Sequence, residues 1–471
     1  MGSSARVLWP GAMAEVHSSW EFLKLLPEGY AHFVSNPRFS GLISLKRDVG
    51  FVIAGPPLLL DSDELPIASI SGLIGDCAAG WIEELDPGHA RDWFLSRKSS
   101  SNTRLGDHFA KCVEFVLRFA PLEGIDSIFY SQQVLEPVTV DKDEEMVSTR
   151  LEGVDGEQTE NGGDKYERRR ARKLLRRLHR KRISVNTVGE FDFLFRLKHP
   201  QPSTVVEHWE VSVKFLLYVG PWEAFGLQTP EAAKWKQLRS EQQMEEISTT
   251  TTASRNERFL GFFLGPHVGE TLADRKNRLK NQLTLPTKAA ALGTLESLFG
   301  SGDIRVSSRA LLHGYLFYEP ALWKFLCTTS SDFRGSTYGD STVNSRHWKG
   351  WWMNVEGFQT FASAPERVTS KWYIVPKMEW LSPVVIREDE ERFLHGALSS
   401  DGLVDMAAKV AEEASRMGRD RMRRFMVAEI RRQSDECHWI WSESSRGFIV
   451  EDSWPDTKAY SPHGFVMSWG P

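Results

Sequence analysis

The chain reads GEFDFLF at residues 189–195 and HWEVSVKF at residues 208–215. Polar and apolar residues alternate in both segments, and successive side chains of an extended chain point to opposite faces. Both segments are therefore predicted to be β-strands with one polar face. In the first strand Glu190 and Asp192 share that face, whereas the phenylalanines share the other face.

The second strand repeats the pattern, with His208, Glu210, Ser212 and Lys214 on one face. If the two strands pair, they bring carboxylates and a lysine together beside an apolar layer. Carboxylate oxygens are ligands for hard divalent cations, and a lysine can offset the charge of a phosphate. The two strands therefore predict a metal and phosphate site of the kind that a metal-dependent phosphodiesterase needs.

Composition limits the class of protein. With 471 residues and a formal net charge of -5, the chain is long enough for two or three packed units. Its four cysteines lie far apart without CxxC or zinc-ligand spacing, so we expect neither a disulfide framework nor a zinc module. We find no apolar stretch of the roughly 20 residues that a membrane span needs, and no signal pattern. These features predict a cytoplasmic or nuclear protein that is not secreted and not membrane-bound, with its oligomeric state left open.

The composition also changes along the chain. Residues 1–100 mix short apolar runs with proline and glycine, and we interpret them as an irregular helical cap. Residues 101–330 are predicted to form the core, interrupted by a disordered insertion at 136–164 that is acidic, rich in glycine and poor in aromatics. A second, polar loop is predicted at 228–258. Residues 331–471 are predicted to form a tryptophan-rich α+β extension whose tryptophans pack in the interior, although base stacking is an alternative role.

Within the predicted core, periodicity indicates the order of the elements. Apolar residues recur at helical spacing in residues 105–119, and a strand is predicted at 126–135 before the two strands quoted above. A helix is predicted at 270–285 and a further strand at 308–318. Helix, three strands, helix and strand in this order predict an α/β protein with a mixed sheet flanked by helices.

A strongly basic run, KYERRRARKLLRRLHRKR, occupies residues 165–182. Three interpretations remain open for it: a solvated helix that balances the acidic segment, a nuclear-targeting patch, or a contact with a nucleic-acid backbone. If it contacts nucleic acid, its candidate contact residues are seven basic residues between 168 and 177: Arg168, Arg169, Arg170, Arg172, Lys173, Arg176 and Arg177.

Five sequence blocks occur in an order that resembles an uncharacterised, mainly bacterial family, catalogued as domain of unknown function eighteen fifty-three. They are RLG at 104–106, GEFDF at 189–193, the segment 208–215, GYLFY at 314–318 and PKMEWL at 376–381. The GExD strand followed by a strand ending in lysine also resembles the PD-(D/E)XK nuclease superfamily. This resemblance implies a restriction-endonuclease-like core with an N-terminal cap and a tryptophan-rich C-terminal extension.

The same resemblance implies a chemistry. Asp192 and Glu210 would bind Mg²⁺ or Mn²⁺, and Lys214 would orient the attacking water or offset charge on the phosphate. Glu190 would assist them. The implied function is a metal-dependent nuclease that cleaves phosphodiester bonds of nucleic acid. The alternative is a catalytically degenerate nuclease-fold module that binds nucleic acid or protein.

Two departures from the superfamily pattern favour that alternative. The usual acid stands two residues before the lysine, where this chain has Ser212. Glu210 lies two residues further back on the same face, roughly 7 Å along the strand, and is the expected substitute. The first helix has Ala110 where a glutamate is usual, and Glu114, one turn on, is the candidate replacement.

In the later helix the resemblance assigns further accessory positions. Gln282 stands where superfamily members steady the active site. Lys276 and Arg278 stand where such members contact phosphate, but an ordinary polar helix face explains these two residues equally well.

Overall fold

The computed structural model describes the greater part of the central and C-terminal chain. The described residues are 40–74, 81–82, 84–86, 90, 92–94, 105–122, 125–137, 185–197, 204–220, 252–266, 269–328, 342–387, 397–405, 425–434, 439–451 and 454. The basic run at 165–182, most of the predicted insertion at 136–164 and most of the predicted loop at 228–258 lie outside them.

The helices and strands are numbered here in chain order. The helices are α1 (Ser40–Ala54), α2 (Ile70–Ile74), α3 (Leu105–Phe119), α4 (Thr252–Gly261), α5 (Leu272–Leu283), α6 (Ala289–Phe299), α7 (Pro320–Thr328) and α8 (Val355–Ala362). The strands are β1 (Ile125–Pro137), β2 (Val185–Leu197), β3 (Thr204–Tyr218), β4 (Phe263–Leu264), β5 (Ile304–Tyr318), β6 (Trp348–Asn354), β7 (Lys371–Ile374), β8 (Val385–Arg387), β9 (Ala397–Leu398), β10 (Phe425–Ser434) and β11 (Trp439–Val450). Short 3-10 turns cover Leu285–Thr287, Pro365–Arg367 and Lys377–Glu379.

The chain divides into two compact units. Unit 1 comprises residues 1–123, 210–280 and 309–471, and unit 2 comprises residues 124–209 and 281–308. Strands β3 and β5 each contribute residues to both units, since the division falls within them. The division of the chain into cap, core and extension stays a prediction.

Unit 2 is built on antiparallel strands. β1 pairs with β2, and β2 pairs with β3 from Phe193 opposite Trp209 to Leu197 opposite Val205. Helix α6 packs against β1. Its core is apolar because one face of the strands carries only hydrophobic side chains, among them Phe191.

Unit 1 contains a mixed sheet. The strand order is β3-β5-β6-β11-β10-β7-β9, with β4 added to β3 and β8 added to β11. β6 runs parallel to both β5 and β11, whereas β10 is antiparallel to β11 and to β7. Helices α7 and α8 contact β6. The predicted α/β class with a mixed sheet flanked by helices is therefore confirmed.

Tryptophans of the predicted C-terminal extension fill the core of unit 1. Trp351 of β6 and Trp372 of β7 are fully buried and meet edge to face, with ring centroids 6.0 Å apart. Phe358 of α8 packs on Trp372 at 4.8 Å. Packing, which the sequence analysis favoured over base stacking, is confirmed for Trp351 and Trp372.

Gly314 of β5 sets how closely this strand approaches β3. Its φ of 141° lies in a region that L side chains rarely adopt, and an added Cβ would overlap the backbone carbonyl of Lys214. Glycine at this position therefore allows the backbone of Lys214 to pack against β5. This close packing explains why the sequence block at 314–318 begins with glycine.

We expect Gly314→Ala to destabilise the protein by about 3 kcal/mol, the sum of backbone strain and overpacking. Urea denaturation followed by circular dichroism measures this change. Gly293→Ala is the matched control, because Gly293 lies in α6 with free space around its Cα and alanine favours a helix. Equal stability of the two variants would show that the close approach of Gly314 to Lys214 carries no energetic weight.

No helix within the described ranges is both long enough and apolar enough to cross a membrane.

Candidate functional site

The two acids of the first quoted segment lie in strand β2 of unit 2. Asp192 is half-buried and Glu190 is exposed. Phe191, which stands between them, and Phe193, which follows Asp192, are fully buried. The phenylalanines are buried as the sequence predicts, but Leu194, two residues beyond Asp192, is fully buried as well. The alternation therefore holds for residues 190–193 and ends there.

The neighbouring strand β1 is distorted beside these acids. Counting along the β1–β2 register places Ser131 opposite Asp192. Ser131 has a φ of 56°, a left-handed conformation that is uncommon for a residue other than glycine, and its hydroxyl donates to the Glu190 carboxylate. Strained backbone of this kind occurs at functional sites more often than elsewhere.

His208 lies on β3 within unit 2, and the charge of Asp192 affects its pKa. It is fully buried, its Nδ1 is hydrogen-bonded to the Ser308 hydroxyl at 3.0 Å, and its ring meets Phe191 edge to face. Burial lowers the pKa of His208 to about 4, against the opposing charge of Asp192. At neutral pH the imidazole is uncharged, so it does not neutralise the Asp192 carboxylate.

The part of β3 that belongs to unit 1 carries Glu210, Ser212 and Lys214. Glu210 is 0% exposed and Ser212 is buried, whereas the Lys214 side chain is 25% exposed. A carboxylate so far removed from water requires a hydrogen bond, an opposite charge or a bound cation. Glu210 therefore places a polar group in the buried part of β3, where burial disfavours its charged form.

Lys214 is held by an acid that the sequence analysis did not single out. Its amine donates to Oε2 of Glu270, and Nη1 of Arg278 lies 3.3 Å from Oε1 of the same carboxylate. Burial lowers the pKa of the Lys214 amine, and the hydrogen bond to Glu270 partly offsets this effect. Lys214, Glu270 and Arg278 thus form one ion cluster.

The start of helix α5 positions Glu270. Thr271 and Asp274 cap this end reciprocally: the Thr271 amide and hydroxyl donate to Asp274 Oδ2 at 3.0 and 2.7 Å, and the Asp274 amide donates to the Thr271 hydroxyl at 3.0 Å. The Glu270 carbonyl accepts from the Gly265 amide at 2.9 Å. The TxxD spacing is a visible capping signal, but it does not indicate which lysine the preceding glutamate meets.

The accessory candidates lie as follows. Glu114 of α3 is buried and accepts from Nε of Arg118 at 2.8 Å, one helical turn away. Gln282 of α5 is half-buried, and its Oε1 is buried without a hydrogen-bond partner in the described part of the chain. Lys276 pairs with Glu64. The basic candidates Arg168, Arg169, Arg170, Arg172, Lys173, Arg176 and Arg177 lie outside the described residues.

Within unit 1 the structure brings Lys214 together with Glu270 and Arg278, and within unit 2 the charge of Asp192 acts on the buried His208. Among the residues that the structure describes, no group of three or more His, Cys, Asp or Glu side chains is arranged to hold a metal ion.

Residues 247–450 match the model of a family described as Domain of unknown function (DUF1853). The match supports a domain-of-unknown-function family for that part of the chain. Two of the five quoted blocks, 314–318 and 376–381, lie inside the matched range, as do Glu270 and Arg278. The segments that carry Asp192, Glu210 and Lys214 precede it. No curated protein and no solved structure matches the chain.

Proposed function

We propose that the protein is a metal-dependent nuclease that cleaves phosphodiester bonds of nucleic acid, on a PD-(D/E)XK-like core. The observation that supports the proposal is that β3 carries a fully buried acidic residue, Glu210, and, four residues on, a lysine of lowered pKa, Lys214. A lysine whose pKa is shifted by burial and by a specific charged partner is found at catalytic sites more often than elsewhere.

Asp192 is the second proposed ligand. It is half-buried on β2, and its charge acts on the buried His208 of β3. The proposal assigns one cation to Asp192 and Glu210.

The residues fit Mg²⁺ better than a transition metal. Asp192 and Glu210 offer carboxylate oxygens only, and Mg²⁺ is usually held by one or two carboxylates while it keeps water and substrate phosphate as further ligands. Bound there, the ion would polarise the scissile phosphate and lower the pKa of a water. Mn²⁺ suits the same oxygen ligands.

The chain's own residues supply the remaining chemistry of this proposal. Lys214 would donate to a phosphate oxygen as negative charge grows in the transition state, and its partial burial strengthens that interaction. Glu190, held by Ser131, would assist Asp192 from the exposed side of β2. Ser212 stands at the usual acid position and cannot act as a carboxylate ligand.

A second candidate function is a catalytically degenerate nuclease-fold module that binds nucleic acid or protein. The observation that favours it is the ion pair between Lys214 and Glu270, which occupies the lysine with a carboxylate of the chain itself. In that case binding persists without metal, weakens with salt and depends on the basic run at 165–182.

The test is a cleavage assay on a panel of single- and double-stranded DNA and RNA oligonucleotides. The full chain is incubated with Mg²⁺, with Mn²⁺ or with EDTA. Under the nuclease proposal at least one substrate is cut with metal and none with EDTA. Metal-independent binding without cleavage of any substrate favours the second candidate.

A further inference from the structure

Three charged groups meet where β3 approaches the start of α5. The Glu270 carboxylate bridges two cations, with Oε2 accepting from Lys214 and Oε1 lying 3.3 Å from Arg278. Two cations that share one anion through different oxygens are the arrangement in which proteins hold a phosphate group. Glu270 therefore occupies the place that an anionic ligand would take.

The cluster is accessible from solvent. The side chain of Arg278 is 61% exposed, whereas those of Lys214 and Glu270 are 25% and 18% exposed. An anion can therefore reach Arg278 first and Lys214 second. Desolvation of the Lys214 amine also means that any anion in contact with it interacts through a medium less polar than water.

The surroundings restrict how Glu270 can respond. The positive charge of Arg275 helps to lower the pKa of Lys214. The Asp274 carboxylate accepts the capping hydrogen bond from the Thr271 hydroxyl. Glu270 itself stands one residue ahead of that cap, so its side chain is outside the helix. Its backbone can stay in place while its carboxylate turns away.

We propose that Glu270 is an internal substitute for phosphate, which closes an anion site formed by Lys214 and Arg278 until a phosphate group of the ligand displaces it. This inference rests on the proposed function, because it concerns the same lysine. It adds that the Glu270 carboxylate competes with phosphate for Lys214, and so controls whether Lys214 can bind a phosphate group.

The test uses inorganic pyrophosphate as the probe, titrated calorimetrically into the full chain in metal-free buffer. Glu270→Gln keeps the shape of the side chain but removes its charge. We expect Glu270→Gln to bind pyrophosphate about tenfold more tightly than the native chain, because a charge-assisted hydrogen bond no longer has to be broken. The double variant Glu270→Gln with Lys214→Ala is expected to lose this gain.

Glu64→Gln is the matched control. Glu64 also contacts two cations of helix α5, Lys276 at 3.7 Å and Lys280 at 2.6 Å, but through a single oxygen, and neither lysine belongs to the cluster of Lys214, Glu270 and Arg278. Its substitution removes the same charge and should change pyrophosphate affinity less than twofold. Circular dichroism checks that each variant is folded, and Glu270→Ala replaces Glu270→Gln if the latter is not.

Unchanged or weaker pyrophosphate binding in the Glu270 variant overturns the inference, as does a gain that survives loss of Lys214 or that Glu64→Gln reproduces. The readout needs neither metal nor cleavage. Failure of the nuclease proposal in the cleavage assay is therefore distinguishable from failure of this inference.

Discussion

Replacing Asp192 with alanine is expected to lower metal-dependent cleavage of nucleic acid by roughly 10³-fold or more. Under the proposed function, Asp192 supplies one of two carboxylates for a cation that stabilises charge in the transition state by several kcal/mol, and each 1.36 kcal/mol corresponds to a factor of ten in rate. Lys214→Ala is expected to cause a loss of similar order, because the lysine acts on the same developing charge. Single-turnover rates with Mg²⁺ measure both effects.

Asp303→Ala is the matched control for this prediction. Asp303 belongs to unit 2, as Asp192 does, but its side chain is 71% exposed and pairs only loosely with Arg305 at 3.5 Å. Its replacement should leave the rate within about twofold of the native value, since exposed pairs of this kind contribute little. Cleavage at the native rate in both Asp192→Ala and Lys214→Ala would contradict the catalytic roles proposed for these residues.

The second large effect concerns a buried arginine of unit 1. Arg446 of β11 is 1% exposed, and its Nε and Nη2 donate to the two carboxylate oxygens of Glu443 at 2.6 and 2.7 Å. Nη1 donates to the Trp380 carbonyl at 2.5 Å, Nη2 to the Ser382 carbonyl at 2.7 Å, and the guanidinium lies 4.5 Å from the ring centroid of Tyr315. Although burial disfavours its charge, the Glu443 carboxylate raises the pKa of Arg446.

We expect Arg446→Ala to destabilise the protein by about 3–5 kcal/mol. It removes the cation that balances the buried Glu443 carboxylate, which keeps the Val384 amide as a donor at 2.8 Å, and it removes the arginine donor of two backbone carbonyls. Chemical denaturation measures the change. Arg305→Ala, which breaks an exposed pair, should cost less than about 1 kcal/mol.

A double variant separates the loss of packing from the loss of charge balance. Arg446→Met with Glu443→Leu removes both charges and keeps most of the volume, so it should recover a large part of the stability lost in Arg446→Ala. If Arg446→Ala unfolds at the same denaturant concentration as Arg305→Ala, the buried ion pair is not a main support of unit 1.

Much of the element order could be predicted from the sequence, because it depends on periodicity. The helix predicted at 105–119 is α3 (Leu105–Phe119), and the strand predicted at 126–135 is β1 (Ile125–Pro137). In α3 apolar side chains recur at helical spacing along the helix, and local burial alone sets that period. In β1 the alternation is partial, since Ile128, Phe129 and Tyr130 are consecutive.

The last strand shows where local reasoning fails. Residues 443–447 read as the turn of a hairpin, since serines, arginine and glycine stand between aromatic residues. The segment nevertheless lies inside the continuous strand β11. Gly447 is there because an added Cβ would overlap the ring of Trp351, and Arg446 is paired with Glu443 in the interior. Both reasons come from tertiary contacts, which turn propensity does not include.

The candidate site was predictable in part for a similar reason. Alternation along β2 and β3 places Asp192, Glu210 and Lys214 on polar faces, so the sequence identifies them. Glu270 lies 56 residues beyond Lys214, and only the folded chain brings the two together. A lone glutamate before a helix has no local pattern that distinguishes a partner of a half-buried lysine from a solvent-exposed acid.

The most direct measurement of the central claim is a titration of the full chain with Mn²⁺, with the free ion followed by electron paramagnetic resonance. It is carried out with and without a DNA oligonucleotide, because the ion is expected to take phosphate oxygens as ligands. The account predicts a bound ion in the native chain that is lost in both Asp192→Asn and Glu210→Gln. Mn²⁺ binding that neither substitution weakens, or no binding by the native chain under either condition, would contradict it.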